Sequence, residues 1–398
     1  MKKKVAFLIS SLNTGGAQRA VSNIVTNFPE DWEIDLILNS KENIVYPYKG
    51  NIISLEMKEP KNRMSLLYQG KAFFKRFSML RKLKKENGYQ AVISFLDSAN
   101  VVNILTGKKY CKTIVSVRHR LSGEKNWHYT LIVNNLVKLL YNKADKVVAI
   151  SEGVRQDLID NFGIKEEKVC TIYNCYNVNE IQEKAKKQCE EIHIEKDAFT
   201  VATMGRFIHL KGQWHLLRAF KEVLKEEPKA KLYILGEGEL NGYLHKIVEE
   251  LNMQEAVVFC GFLKNPFSLI SKVKLFVFPS LGEGFGNALV EAMACGVPCI
   301  ASDFKYGARE ILQNNADINQ ECEKMELADY GILTPVCSET HNEPTDSLEQ
   351  GEIELQRAIL QMWKNQELQK GYSEKAVERA EFFAPKKTVE NWIKILGD

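Results

Sequence analysis

The sequence predicts an α/β chain of two domains, each a parallel sheet with helices on both faces, and three observations lead there. Short apolar runs rich in β-branched residues alternate with longer helical patterns from end to end, as βαβ units require. The 398 residues exceed what one hydrophobic core usually serves. The charge also changes sign partway: net +12 up to residue 178 and −9 beyond it.

In the first half the strand candidates are Val5–Ser10, Ile34–Leu38, Ala91–Phe95, Thr113–Val117, Lys146–Ile150 and Lys168–Ile172. In the second they are Thr200–Met204, Lys231–Leu235, Val257–Cys260, Leu275–Pro279 and Pro298–Ala301, which makes each half Rossmann-like. The linker is expected within Tyr176–Asp197, where an Asn-rich turn leads into a charged stretch. The domains are then 1–178 and 179–385, with a final helix over 386–398, set off by Pro385, packing back on the first. Two polar, acidic segments, Asn314–Tyr330 and Ser338–Gln350, read as surface excursions of the second domain.

Hydrophobic residues at 45% and charged residues at 26% describe an ordinary globular protein and exclude a disordered one. No apolar run approaches the roughly 18 residues a spanning helix needs. The nine cysteines are scattered, with no Cys-x-x-Cys pair or Cys/His cluster at zinc spacing, and read as reduced cytosolic thiols. Met1-Lys2-Lys3-Lys4 followed by Val5–Leu12 imitates a leader. The apolar run is short and ends in Asn13-Thr14-Gly15-Gly16 without a cleavage site, so a buried first strand and a cytoplasmic protein are expected.

The strongest chemical signal runs from Leu275 to Ser302: a strand, the glycine-rich loop Gly282-Glu283-Gly284-Phe285-Gly286, a helix from about Asn287 to Cys295, a stop at Gly296 and another strand. The glycines admit a ligand close to the backbone, and the helix start presents unpaired N–H groups and a positive dipole end to phosphate. Glu283 and Glu291, eight positions apart, read as carboxylate acceptors for sugar and ribose hydroxyls beside it. Arg206 and Lys211 follow strand Thr200–Met204 and flank a turn, where two cations could receive a departing diphosphate. Fixed cations there stabilise the charge that develops on the leaving oxygen. Metal would be dispensable, and no metal-holding Asp-x-Asp occurs.

These segments closely resemble glycosyltransferase family 4, a retaining family of the two-Rossmann-domain GT-B fold, through its Glu-(seven residues)-Glu signature. Further matches follow in order: Thr203–Trp214 resembles the family's Gly-Arg…Lys-Gly element, Leu232–Leu240 its strand and glycine turn, and Val257–Asn265 the segment that holds the base. Ala149–Arg155 is similar to its interdomain element, and Leu12–Ala20 to the glycine loop that closes over the donor.

The resemblance implies two sheets facing across a cleft, with Arg206, Lys211 and Glu283 as catalytic residues. It implies donor binding by Gly16, Gly205, Leu263, Phe285, Gly286, Asn287, Ala288 and Glu291, the last on the ribose. The leaving phosphate acts as the base in such enzymes, so no enzymic nucleophile is named, and no cofactor or metal is expected. The family also places a histidine after the fourth strand of the first domain. Here Thr113–Val117 runs into Arg118-His119-Arg120: aligned on the strand end Arg118 takes that place, and shifted by one His119 does.

The stretch Lys61–Lys85 carries nine basic residues and no acidic one, with Phe73, Phe77 and Leu80 at helical spacing. Such a helix can lie on an anionic bilayer or dock on the sheet with its charges in water. The expectation is a metal-independent transfer from a nucleotide diphosphate sugar, by default a UDP-sugar, to a glycan acceptor. If the membrane reading of residues 61–85 holds, the acceptor would be linked to a polyprenyl diphosphate at the cytoplasmic leaflet, as in bacterial polysaccharide or oligosaccharide synthesis. The rivals are a non-catalytic subunit that binds nucleotide sugar and a sugar-nucleotide epimerase of the same architecture. Nucleic acid is not an expected partner, since no recognised module is present.

Overall fold

A computed structural model of the chain describes residues 3–13, 15–56, 66–123, 130–195 and 197–397. Thr14 of the first glycine loop and residues 61–65 of the basic stretch lie outside the described residues. The chain forms two compact units, one of Met1–Cys175 with Pro385–Asp398 and the other of Tyr176–Ala384. Each unit holds one Rossmann-like sheet, so the chain has the two-domain content of the GT-B class.

In the first unit the strands are β1 Lys3–Leu8, β2 Trp32–Leu38, β3 Asn51–Ser54, β4 Ala91–Phe95, β5 Lys112–Val117, β6 Lys146–Ala149 and β7 Val169–Thr171. They lie parallel in the order β3-β2-β1-β4-β5-β6-β7. All five residues of β4 are buried, which explains its continuous apolar run. The final helix, Pro385–Gly397, belongs to this unit and sets the fully buried Trp392 against Phe95, ring centroids 5.8 Å apart. The helix Leu66–Glu86 docks on the sheet through fully buried Leu80, with Phe73 and Leu83 partly buried beside it. Its Lys84 is buried too: the ammonium donates to the carbonyls of Asn103 and Gly107, both at 2.9 Å, and to Thr113 Oγ1 at 3.0 Å. Burial pulls the Lys84 pKa down to about 8, against partial recovery from the nearby Cys111 and Asp145.

In the second unit the strands are β8 Thr200–Met204, β9 Lys231–Leu235, β10 Val257–Gly261, β11 Leu275–Phe278, β12 Cys299–Ser302, β13 Glu326–Leu327 and β14 Ile332–Thr334. Their order is β10-β9-β8-β11-β12-β14-β13, all parallel except the β13/β14 hairpin. The strands β3, β13 and β14 carry no sequence signal: they are two to four residues long, and β3 and β13 lie at sheet edges. Residues Val178–Ala185, expected in the linker, form a helix capped by Asn177, whose side chain accepts from the Glu180 N–H.

Strand order reverses direction between β1 and β4 in the first unit and between β8 and β11 in the second. At such switch points the connections leave to opposite faces and open a crevice at the carboxyl ends of the strands. Gly205–Lys211 follows β8 and the glycine loop 282–286 follows β11, so both loops singled out in the sequence stand at one switch point.

Candidate active site

The turn after β8 is held from several sides. Its Phe207 N–H donates to the Glu237 carbonyl at 2.9 Å, Leu281 N–H donates to the Leu210 carbonyl at 2.9 Å, and Gln213 Nε2 donates to the Arg206 carbonyl at 3.1 Å. Gly212 then turns back at φ 58 to start the helix Gln213–Glu226; a Cβ there would lie 2.3 Å from the Pro279 carbonyl. This packing aims Lys211 at the glycine loop. Its ammonium donates to Glu283 Oε1 and lies 5.2 Å from the centre of the Phe278 ring. Ser280 Oγ donates to the same carboxylate oxygen at 3.0 Å. Arg206 is exposed, and its guanidinium makes no hydrogen bond or ion pair among the described residues. One cation is thus committed to a carboxylate and the other is available.

The loop itself is shaped by residues the sequence did not mark. Tyr306 N–H donates to the Glu283 carbonyl at 3.2 Å, and Gly307, at φ 122, passes so close that a Cβ would lie 1.9 Å from the Phe285 carbonyl. Gly286, at φ 119, caps the helix Asn287–Ala294, and buried Phe285 packs edge-on to Phe383 with centroids 5.3 Å apart. Tyr176 donates its hydroxyl to Asn287 Oδ1 at 2.5 Å and so orients the first residue of that helix. Ala288 follows in the first turn, where backbone N–H groups lack helical partners. Glu291 sits at the fifth helical position and is buried. Gly205 lies under Lys211: a Cβ there would be 3.4 Å from Lys211 Cδ.

Beside this turn a cleft of about 470 Å³ is lined by Phe207, Gly236, Glu237, His245, Phe259 and Gly261, among others. The ring of His245 tilts over Phe259 at 3.8 Å between centroids, giving the cleft a flat aromatic wall. Leu263, two residues beyond Gly261, is buried.

In the first unit Gly16 opens the helix Gly16–Thr26 after β1. Arg118 is drawn into the fold: it donates to Ser116 Oγ at 3.3 Å and to Asn174 Oδ1, and its guanidinium lies 5.7 Å from the Phe95 ring centre. His119 keeps an exposed edge and places Nε2 3.9 Å from Asp97 Oδ2. Asp97 was not singled out in the sequence. It follows Leu96, which has φ 74, a conformation uncommon for a bulky residue, and it begins the helix Asp97–Leu105.

Comparison with known proteins identifies the family and the fold. Residues 14–180 match the family described as Glycosyltransferase Family 4, and residues 184–330 match Glycosyl transferases group 1. The chain is 31% identical over 349 residues to the uncharacterized glycosyltransferase MJ1059 of Methanocaldococcus jannaschii, covering 83% of this chain and 85% of that protein. It is 30% identical over 399 residues to the N-acetylgalactosamine-N,N'-diacetylbacillosaminyl-diphospho-undecaprenol 4-alpha-N-acetylgalactosaminyltransferase of Campylobacter jejuni, covering 99% of each. The fold matches that of Anabaena Alr3699/HepE, solved in complex with UDP, at a TM-score of 0.73, 20% identity and 99% coverage of both chains. The chain belongs to glycosyltransferase family 4 and is a glycosyltransferase of the GT-B fold.

Proposed function

We propose that the protein transfers a sugar from a UDP-sugar, with retention of configuration and without a metal ion, to a glycan carried on a polyprenyl diphosphate. The observation that carries this reading is the meeting of Lys211 with Glu283 at the switch point of the second sheet, with the uncommitted guanidinium of Arg206 on the same turn. A diphosphate entering there gains a planar fork from Arg206 and a point charge from Lys211, while the helix start at Gly286–Ala288 offers N–H groups. The two cations take up the charge released when the bond from anomeric carbon to phosphate oxygen breaks. That is the role a divalent ion plays elsewhere.

Lys211 and Glu283 hold one another. On donor binding the ammonium shifts toward phosphate, and the Glu283 carboxylate becomes an acceptor for a sugar hydroxyl. The aromatic-walled cleft ending at Gly261 takes the base, Leu263 borders it, and Glu291 takes the ribose. Gly205 keeps backbone close to the donor; from the first unit we assign Gly16 to donor binding and Arg118 and His119 to the acceptor or sugar.

The acceptor class is supported by the Campylobacter relative, whose name specifies a diphospho-undecaprenol glycan. A second support is the outer face of helix Leu66–Glu86. Lys71, Lys75, Arg81, Lys82 and Lys85 are exposed there beside Phe74, which is 71% exposed. Cations around one exposed aromatic ring suit an anionic bilayer surface. No helix among the described residues is long and apolar enough to cross a membrane, so this contact would be peripheral.

The test is a thermal-shift screen of UDP-, GDP- and ADP-sugars, then an assay of the best donor on undecaprenyl-diphosphate-linked glycans. UDP-sugars should raise the melting temperature most, and UDP should be released only when acceptor is present. Stabilisation by GDP- or ADP-sugars alone would remove the donor assignment.

A further inference from the structure

The turn that carries Arg206 and Lys211 has one more attachment, made by His209, and it leads to a segment expected to be a mere surface excursion. His209 Nε2 lies 2.7 Å from the Glu339 carbonyl; since a carbonyl only accepts, Nε2 carries the proton. The imidazole stacks on His341, centroids 5.0 Å apart and planes 28° apart, and tilts against Trp214 at 5.1 Å. His341 in turn meets the edge of Trp214 at 4.5 Å and stacks on Tyr243 at 4.8 Å and 16°. Tyr243 lies on the helix Asn241–Glu250, which follows the glycine turn bordering the aromatic cleft. A continuous ring stack therefore joins the cation-bearing turn to the far wall of that cleft.

The excursion that supplies His341 is anchored from beneath. Buried Arg218 grips Glu352 with Nε and Nη2, at 2.8 and 3.2 Å. It also donates to the carbonyls of Glu343, Asp346 and Ser347, the last two at 3.2 and 3.0 Å. His215 places one ring nitrogen 2.8 Å from Glu352 and the other 2.9 Å from the Ser338 carbonyl. A polar loop tied at both ends in this way is a fixed support, so the ring it presents has a defined place.

We propose that His341 is a positioning residue, holding His209 and with it the Arg206–Lys211 turn in the conformation that receives a diphosphate, and that this hold loosens when both imidazoles are protonated. The inference rests on the reading of Arg206 and Lys211 as the diphosphate-binding cations. Two neutral rings, or one charged and one neutral, stack favourably, whereas two imidazolium ions at this spacing repel. The groups around His341 reinforce that balance. His209 faces it from the turn, His215 from the helix below and Tyr243 from the helix beyond, while Arg218, Glu343, Glu352 and Glu250 act on Tyr243. Partial burial, then the positive charges of His209 and His215, hold the His341 pKa below its ordinary value.

The experiment measures UDP binding to the full chain by calorimetry at pH 6 and pH 8, for wild type, His341→Ala, His341→Phe and Arg206→Ala, with melting temperatures alongside. His341→Phe keeps a ring in the stack and removes its charge. At pH 8 we expect His341→Ala to weaken UDP by about tenfold and His341→Phe to stay within about twofold of wild type. At pH 6 His341→Phe should bind about threefold more tightly than wild type; the ratio cancels the titration of UDP's own phosphate.

If Arg206→Ala weakens UDP while His341→Ala leaves it unchanged, the positioning role is overturned and the donor reading stands. If wild type binds UDP and neither variant weakens it, the donor reading itself fails. A ratio between His341→Phe and wild type that is the same at both pH values overturns the charge-dependent hold.

Discussion

Lys211 and Glu283 form an ion pair in which each side chain is mostly, but not fully, withdrawn from solvent. An ammonium engaged in this way is held at one point, so little side-chain freedom remains to be lost when phosphate arrives. Arg206, five residues earlier on the same turn, has no such partner among the described residues.

Replacing these cations separates their roles. Arg206→Ala should lower kcat/KM for transfer by about two to three orders of magnitude. Its melting temperature should stay within about 2 °C of wild type, because an exposed, uncommitted side chain carries little stability. Lys211→Ala should cost as much activity and also lose some stability, since it strands the Glu283 carboxylate. Near-normal transfer by both variants, measured with purified donor and acceptor, would withdraw them from the reaction.

Transfer should proceed at full rate in excess EDTA, since the proposed charge stabilisation comes from side chains and backbone N–H groups. Loss of activity on chelation, with recovery on adding magnesium or manganese, would contradict this.

Two glycines near the same crevice should respond in opposite ways to alanine. Gly236 sits at φ 128 with the Gly205 carbonyl 2.0 Å from a would-be Cβ, so Gly236→Ala should destabilise the second unit by several kcal/mol and weaken UDP. Gly242, in the helix beside it, has no atom within 4 Å of its Cβ position, and Gly242→Ala should stabilise by up to about 1 kcal/mol. Urea melts of the two variants check both signs.

Breaking the anchor of the excursion should be expensive. Arg218→Met leaves the buried Glu352 carboxylate without its bidentate partner, a loss of about 3–5 kcal/mol. Burial pushes Glu352 up, but hydrogen bonds from His215 and Arg218 and their charges outweigh it, so its pKa lies below the ordinary 4.5. A depressed carboxylate contributes stability in full above the unfolded value and loses it as pH falls through the folded one. Wild type should therefore weaken below pH 4.5. Glu352→Gln should be less stable at neutral pH and show a shallower acid decline in chemical denaturation.

At alkaline pH two kinds of buried group act in opposite directions. Burial raises Cys175, Cys260 and Cys295 from 9.0 to about 12, so above pH 9 the unfolded chain releases protons that the native state keeps, and stability falls. Lys84, lowered from 10.5 to about 8, does the reverse: the unfolded chain holds the extra proton between those values, and stability rises with pH. Urea midpoints should decline as pH rises through 9, because several thiols outweigh the single ammonium. Lys84→Met should steepen that decline between pH 8 and 9; a midpoint unchanged up to pH 10.5 would contradict the thiol assignment.

The sequence by itself determined the fold class, because a parallel strand buried on both faces must be an apolar run, and such runs are local. Thus Ala91–Phe95, Thr200–Met204 and Lys231–Leu235 are strands over the same residues in sequence and structure. The family was equally legible, since the glycine loop and its two glutamates are contiguous. The short strands Asn51–Ser54, Glu326–Leu327 and Ile332–Thr334 were not, having too few residues to show a pattern.

What only the tertiary structure decided is which distant side chains meet. Lys211 lies 72 positions from Glu283, Tyr176 lies 111 from Asn287, and the ring of His341 comes from a loop that composition alone marks as solvent-facing. These pairings depend on strand order and on buried anchors such as Arg218 and Glu352. Local propensity and spacing carry no record of them, because the energy that fixes each contact comes from packing between segments far apart in the chain.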